Sequence, residues 1–144
     1  MHFVDTNIFV RYLTKDDPVK ARACFEMFKQ AERNDIGLYT SESIIAEVVY
    51  VLSSPRLYGL SHDEIRARLL PLLTLAGLRF PDRTVCLRAL ELYAAFPVDF
   101  EDALTVAHME RQKITEIYSY DRDFDKIADV QRLEPDPIPE DGDE

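Results

Sequence analysis

Positive charge is scarce: 17 Lys and Arg stand against 27 Asp and Glu, a net charge of −10. Taken alone, that argues against broad electrostatic affinity for nucleic acid. The distribution qualifies it. Residues 134–144, EPDPIPEDGDE, hold six acids and no base, so that without those six charges residues 1–133 carry only −4. Cysteine is almost missing too. Cys24 and Cys86 are the only two, each inside an amphipathic helical pattern where a thiol behaves as a small buried hydrophobe. No disulfide is expected, and a reducing cytoplasm is. No apolar run approaches the ~18 residues of a membrane span. The N-terminus lacks the basic stretch, continuous apolar core and small-residue cleavage site of a signal peptide, so export is not expected. Internal repeats and linkers are absent from residues 1–133.

What is present fits one compact domain over residues 1–133, burying roughly two-thirds of the unfolded chain's surface. The tail 134–144 is acidic, carries three prolines and has little to bury, a composition that predicts disorder. Residues 2–5 read as a short buried strand. PVKARACFEMFKQAER reads as a helix with Asp17 as its cap and Pro18 in its first turn. GLYT is a second strand, and SESIIAEVVYVLSS a helix that stops before Pro55. Ser61 and Glu64 form a capping-box pattern ahead of IRARLLPLLTLAG, where Pro71 is expected to kink or divide the helix. Helices over RTVCLRALELYAAF and FEDALTVAHMERQK, a strand at EIYSY and an edge strand at VQRLEP complete the pattern. Strands separated by helices need crossover connections. That predicts an α/β domain with a mainly parallel sheet and ligands at the strands' carboxyl ends.

Those ends carry acids. Asp5 closes the first strand and Asp121, in IYSYDRDF, closes the later one; each alone is equally suited to capping a turn or a helix. Glu47 borders the stripe Ile44, Val48, Val51 and Leu52 on a helix of ~3.6 residues per turn, which predicts a partly desolvated carboxylate. Asp102 shares a helix face with Val106 and Met109 and sits in a first turn, where negative charge suits the helix dipole. Asp99 reads as that helix's cap, and Asp123 and Asp125 as turn residues. Four carboxylates converging on one edge would repel, and some would protonate unless a cation joined them. An oxygen-only set without His or Cys suits Mg²⁺ or Mn²⁺ better than zinc, and such ions activate water toward phosphodiesters. His2, His62 and His108 show no spacing that assigns them a role.

FVDTNIFVRYL, SIIAEVVYVL, VDFEDALTVA and YSYDRDF, in that order and at those separations, resemble the motifs of PIN-domain ribonucleases, especially VapC-type toxins of toxin–antitoxin pairs. The resemblance spans residues 1–133 and implies a three-layer α/β/α fold, Mg²⁺- or Mn²⁺-dependent RNA cleavage, a homodimer and a cognate antitoxin. It puts the acidic site on Asp5, Glu47, Asp102 and Asp121, with Thr6 and Asn7 completing the first motif. Ser119 replaces the family's usual Thr and keeps the hydroxyl. Asp99 matches a subgroup whose motif reads Asp, two residues, then Asp-Ala, and the acidic tail is not a family feature. In this reading Asp5 and Asp102 bind the principal metal, and Asp121 and Glu47 hold a second ion or orient the nucleophile. Thr6, Asn7 and Ser119 hydrogen-bond the carboxylates. Arg11, Lys15 and Arg122 are candidate RNA contacts, with Arg56 and Lys126 near the same segments. Tyr12, Tyr50, Tyr58 and Phe124 suit base stacking or, more simply, core and dimer packing. A haloacid-dehalogenase-type phosphotransferase would need a second Asp where Asn7 stands. A receiver-type domain would need paired acids after its first strand. A PIN-like fold retained for RNA or protein binding, with its carboxylates as caps, is the remaining alternative.

Overall fold

The computed structural model describes residues 1–140. Strand β1 (His2–Phe3) runs into helix α1 (Thr6–Thr14) and then α2 (Pro18–Glu32). Strand β2 (Leu38–Tyr39) leads to α3 (Glu42–Ser53) and α4 (His62–Leu73), and β3 (Leu78–Arg79) to α5 (Arg83–Ala95) and α6 (Phe100–Arg111). Strand β4 (Glu116–Tyr118), a 3₁₀ turn (Arg122–Lys126) and β5 (Gln131–Leu133) follow. Every strand pairing is parallel, as helix-bearing crossovers require. The result is the three-layer α/β/α arrangement, with its strands in two ladders, β1–β2–β3 and β4–β5.

Apolar spacing builds the core around the first ladder. Phe9 of α1, Leu38 of β2, Ile45 and Leu52 of α3, Leu69 of α4, Leu78 of β3 and Leu90 of α5 are all buried. Each such side chain contributes about 1.5–3 kcal/mol relative to leaving it in water. Together they hold α1, α3, α4 and α5 against the strands. Asp17 caps α2 through the Lys20 N–H, and Ser61 and Glu64 close the capping box of α4.

Strand β1 is shorter than the expected 2–5 and both of its residues are exposed, not buried, and four further local features differ from the sequence reading. Helix α1 begins immediately after the first strand, because the Asp5 side chain accepts the Thr6 N–H and so starts a helix where the strand stops. Helix α4 continues through Pro71: the proline lies in the last turn, so its missing N–H deprives a single carbonyl, that of Ala67, of its helical donor two residues before the helix ends. A two-residue strand, β3, follows α4; its ladder bonds run from Leu38 N–H to the Gly77 carbonyl and from Thr40 N–H to that of Arg79. The buried face of α3 is Ile45, Val48, Val49 and Leu52, a rotation that leaves Glu47 exposed and not partly desolvated. Of the acidic tail, residues 134–139 form no helix or strand, and 141–144 lie outside the described residues.

Candidate active site

Helix α6 starts where Asp99 Oδ1 accepts the Asp102 N–H at 2.8 Å. Burial of Phe100, Ala103 and Val106 carries Asp102 inward with them, leaving it 9% exposed. Its Oδ2 is buried with no hydrogen-bond partner. A carboxylate oxygen in that position is costly unless something positive reaches it. Two more carboxylates do approach. Oxygens of Asp102, Asp121 and Asp123 lie within 4.8 Å of one another. Burial, and then the negative charges of Asp99, Asp121 and Asp123, push the Asp102 carboxyl up to about 7.

The 3₁₀ turn after β4 supplies the other two acids. Ser119 Oγ accepts the Asp121 N–H at 3.0 Å, and Asp121 Oδ1 accepts the Asp123 N–H at 2.9 Å. Ser119 thus fixes the backbone of Asp121 and makes no bond to its carboxylate. Such an Asx turn folds residue i+2 back beside residue i, which is how Asp123 enters the cluster while also pairing with Lys126 at 2.8 Å. From sequence a turn role is the simpler one for Asp123 and a site role stays open; the Asp-x-Asp spacing of "DRD" is the signal for the latter.

Asp5 and Glu47 are joined through Thr6. Thr6, capped by Asp5, donates its hydroxyl to Glu47 Oε1 at 2.9 Å and ties the start of α1 to the middle of α3. Asp5, Thr6, Asn7 and Glu47 line one open cavity, and Arg11 stands on its wall. The structure therefore brings Asp102 and Asp121 together with Asp123, and Asp5 together with Glu47 across Thr6. Lys15 closes α1 in a left-handed conformation, φ 57°, and Arg122 opens the 3₁₀ turn; both are exposed. Phe124 is buried and Tyr12 packs against Phe25 and Phe28, so these two rings serve the core. His108, assigned no role above, pairs with Glu42 at 2.8 Å, and Arg111 pairs with neighbouring Asp82; this network joins α3 to α5 and α6.

The donor set decides what the larger cluster fits. Neither His nor Cys joins Asp102, Asp121 and Asp123, and an orphaned buried oxygen is among them. Hard divalent cations prefer oxygen ligands of that kind, and one would offset both the burial and the neighbouring negative charges that raise the Asp102 carboxyl. Cys24 and Cys86 are both free and buried away from solvent.

An α/β domain with parallel strands and an oxygen-only acidic centre beyond their carboxyl ends is the class defined so far. The particular family follows from comparison: the PIN domain model matches residues 2–130, and the chain belongs to that family. Among solved structures, Mycobacterium tuberculosis VapC20, described as a sarcin–ricin-loop-cleaving toxin, aligns over 87% of this chain and 93% of its own, at 20% identity and a TM-score of 0.40. No curated protein matches. Among the described residues, no helix is long and apolar enough to cross a membrane.

Proposed function

We propose that this PIN-domain protein is a metal-dependent endoribonuclease acting as the toxin of a type II toxin–antitoxin pair. The observation that carries the catalytic reading is the Asp102 cluster: three carboxylates from two segments, with one buried oxygen unsatisfied. Asp102, Asp121 and Asp123 would hold Mg²⁺ or Mn²⁺, which when bound supplies positive charge to the phosphate and lowers the pKa of water. Asp5 and Glu47 complete the catalytic acids, and the Thr6 hydroxyl holds Glu47 in place. Asp99 fixes the first turn of α6 and thereby the backbone of Asp102. Ser119 does the same for Asp121, and Asn7 borders the cavity beside Asp5. Arg11, Lys15 and Arg122 would meet the RNA backbone as phosphate contacts, which position a strand without reading its sequence.

The toxin role, the homodimer and the antitoxin partner rest on the order of the four motifs, and a cytoplasmic location on the scarcity of cysteine. The division of the chain into a nuclease domain, 1–133, and an appended acidic tail rests on the composition of residues 134–144, six acids and three prolines without a base.

RNA incubated with purified protein, with Mn²⁺ or with chelator, tests the activity. Cleavage is expected only with the metal, and Asp5→Asn and Asp102→Asn should each abolish it while keeping a native circular dichroism spectrum. Equal cleavage in chelator, or by both variants, would overturn the reading. Expressed alone, the wild-type chain should arrest growth, Asp5→Asn should not, and a cognate partner should relieve the arrest. Harmless accumulation of soluble, active protein would remove the toxin role.

A further inference from the structure

Beside the Asp5–Thr6–Glu47 group lies an open cavity of about 450 Å³ between α1, α3 and the loop that follows α3, a size within the range of small-ligand sites. One side is acidic, with Asp5 and Glu47; the other presents Arg11, Leu57 and Tyr58. That second wall is built. Asp16 accepts Arg11 Nη1 through Oδ1 at 3.1 Å and the Tyr58 hydroxyl through Oδ2 at 2.5 Å. A single carboxylate therefore ties a residue of α1 to a residue of the loop after α3.

The loop itself is wound tightly. The N–H groups of Leu57, Tyr58 and Gly59 all point to the Ser54 carbonyl, and Gly59 closes the turn at φ 58°. Leu57 is 59% exposed, an apolar side chain held out of the core next to charged groups. The polar end of Tyr58 is engaged by Asp16, so its ring is what it contributes to the cavity. The Tyr58 hydroxyl first, and Arg11 beside it, hold the Asp16 carboxyl below the ordinary carboxylate range, which keeps this anchor ionised.

A ring, an apolar side chain and a guanidinium set beside catalytic carboxylates match the parts of one nucleotide. We propose that the cavity is a nucleotide subsite that takes a single unpaired RNA base against Tyr58 and Leu57 and its adjoining phosphate on Arg11. The proposal rests on the RNA-cleaving reading above. Unpaired bases are the parts of RNA that a protein can stack upon. Stacking tolerates every base, so the subsite grips the strand and sets its position relative to the carboxylates without selecting a base.

Binding of a fluorescent six-nucleotide single-stranded RNA, followed by anisotropy in chelator, tests this without turnover. Tyr58→Ala should weaken binding by about tenfold, whereas Tyr58→Phe, which keeps the ring, should lose much less. Arg11→Gln should weaken binding and lower the salt slope by about one phosphate contact. Leu57→Ser, at an exposed position, is a second probe of the same wall should Tyr58→Ala fail to fold. Tyr118→Ala, at an exposed tyrosine on β4 that does not line the cavity, should change nothing. With Mn²⁺ and substrate, Tyr58→Ala should raise KM and leave kcat within about threefold. Wild-type cleavage together with wild-type binding by Tyr58→Ala, Leu57→Ser and Arg11→Gln would overturn the subsite and leave the nuclease reading standing. Strand binding lost in those variants, from a wild type that never cleaves, would support the subsite and overturn the nuclease reading. A wild type that neither binds nor cleaves removes both.

Discussion

At the scale of single residues, Asp102 is the carboxylate that folding takes out of water, and its cost has a sign that can be measured. The group sits at 3.8 in its ordinary state and at about 7 in the fold. Between those values the folded chain binds more protons than the unfolded one, so without a cation stability falls as pH rises through that window and levels off above it. Asp102→Asn removes the titrating group. In chelator the variant should therefore gain stability relative to wild type progressively from pH 4 to pH 7, read as the difference in denaturation midpoints. Adding Mn²⁺ at pH 7.5 should raise the midpoint of wild type and leave that of the variant nearly unchanged, because ligand-linked stabilisation needs the carboxylate. A variant destabilised at every pH, or stabilised by Mn²⁺ as much as wild type, would show that Asp102 has a purely structural duty. Asp99 behaves differently. As the cap of α6 it should cost about 0.5–2 kcal/mol on replacement by Ala, as helix caps do.

At the scale of elements, the close approaches set the tolerances. Gly77 lies where the turn after α2 meets the start of β3: its N–H donates to the Ala31 carbonyl at 2.9 Å and its own carbonyl accepts from Leu38. A methyl group there would stand 2.6 Å from the carbonyl oxygens of both Ala31 and Ile36, which are backbone atoms and cannot swing aside. Gly77→Ala should destabilise by about 1–3 kcal/mol, the usual range for overpacking, and a denaturant titration with an unchanged m-value would report it. A neutral substitution would mean that the two segments yield more easily than a hydrogen-bonded ladder should.

Elements also show what could be read in advance. Caps and periodicity placed α2, α3, α5, α6 and the capping box of α4, since Asp17, Ser61 with Glu64, and the apolar stripes act locally. Helix α1 was not legible because Asp5, read as the end of a strand, is also the first cap of a helix. Strand β3 was hidden because two residues carry no period, and its pairing is decided by contacts with β2 far away in the chain. Asp5, Glu47, Asp102 and Asp121 stand out in the sequence at strand ends and helix edges and in the four motifs, which makes them candidates. The approach of Asp102 to Asp121, and the entry of Asp123 beside them, depend on how α6 and the 3₁₀ turn are packed, which no local pattern encodes.

At the scale of the molecule, charge is the variable that local structure leaves free. The net charge of −10 opposes any approach to RNA, yet most of it is concentrated at one end of the chain. Glu134 is partly spoken for, because Arg132 donates to it and to Asp125. The remaining five acids of residues 135–144 have no base among them. Truncation after Glu134 keeps the Arg132 pairing and brings the net charge to −5 by removing those five acids. If the tail competes with RNA for Arg11, Lys15 and Arg122, the truncated protein should bind single-stranded RNA more tightly at 50 mM salt. The gain should shrink toward 300 mM salt, as screening shortens the reach of charge to below about 10 Å. The thermal midpoint should stay within a degree or two, since residues 134–139 belong to no helix or strand. Equal affinities at low salt would leave the tail without influence on RNA, whereas a gain that persists undiminished at high salt would show that the tail blocks the site by contact and not by its field.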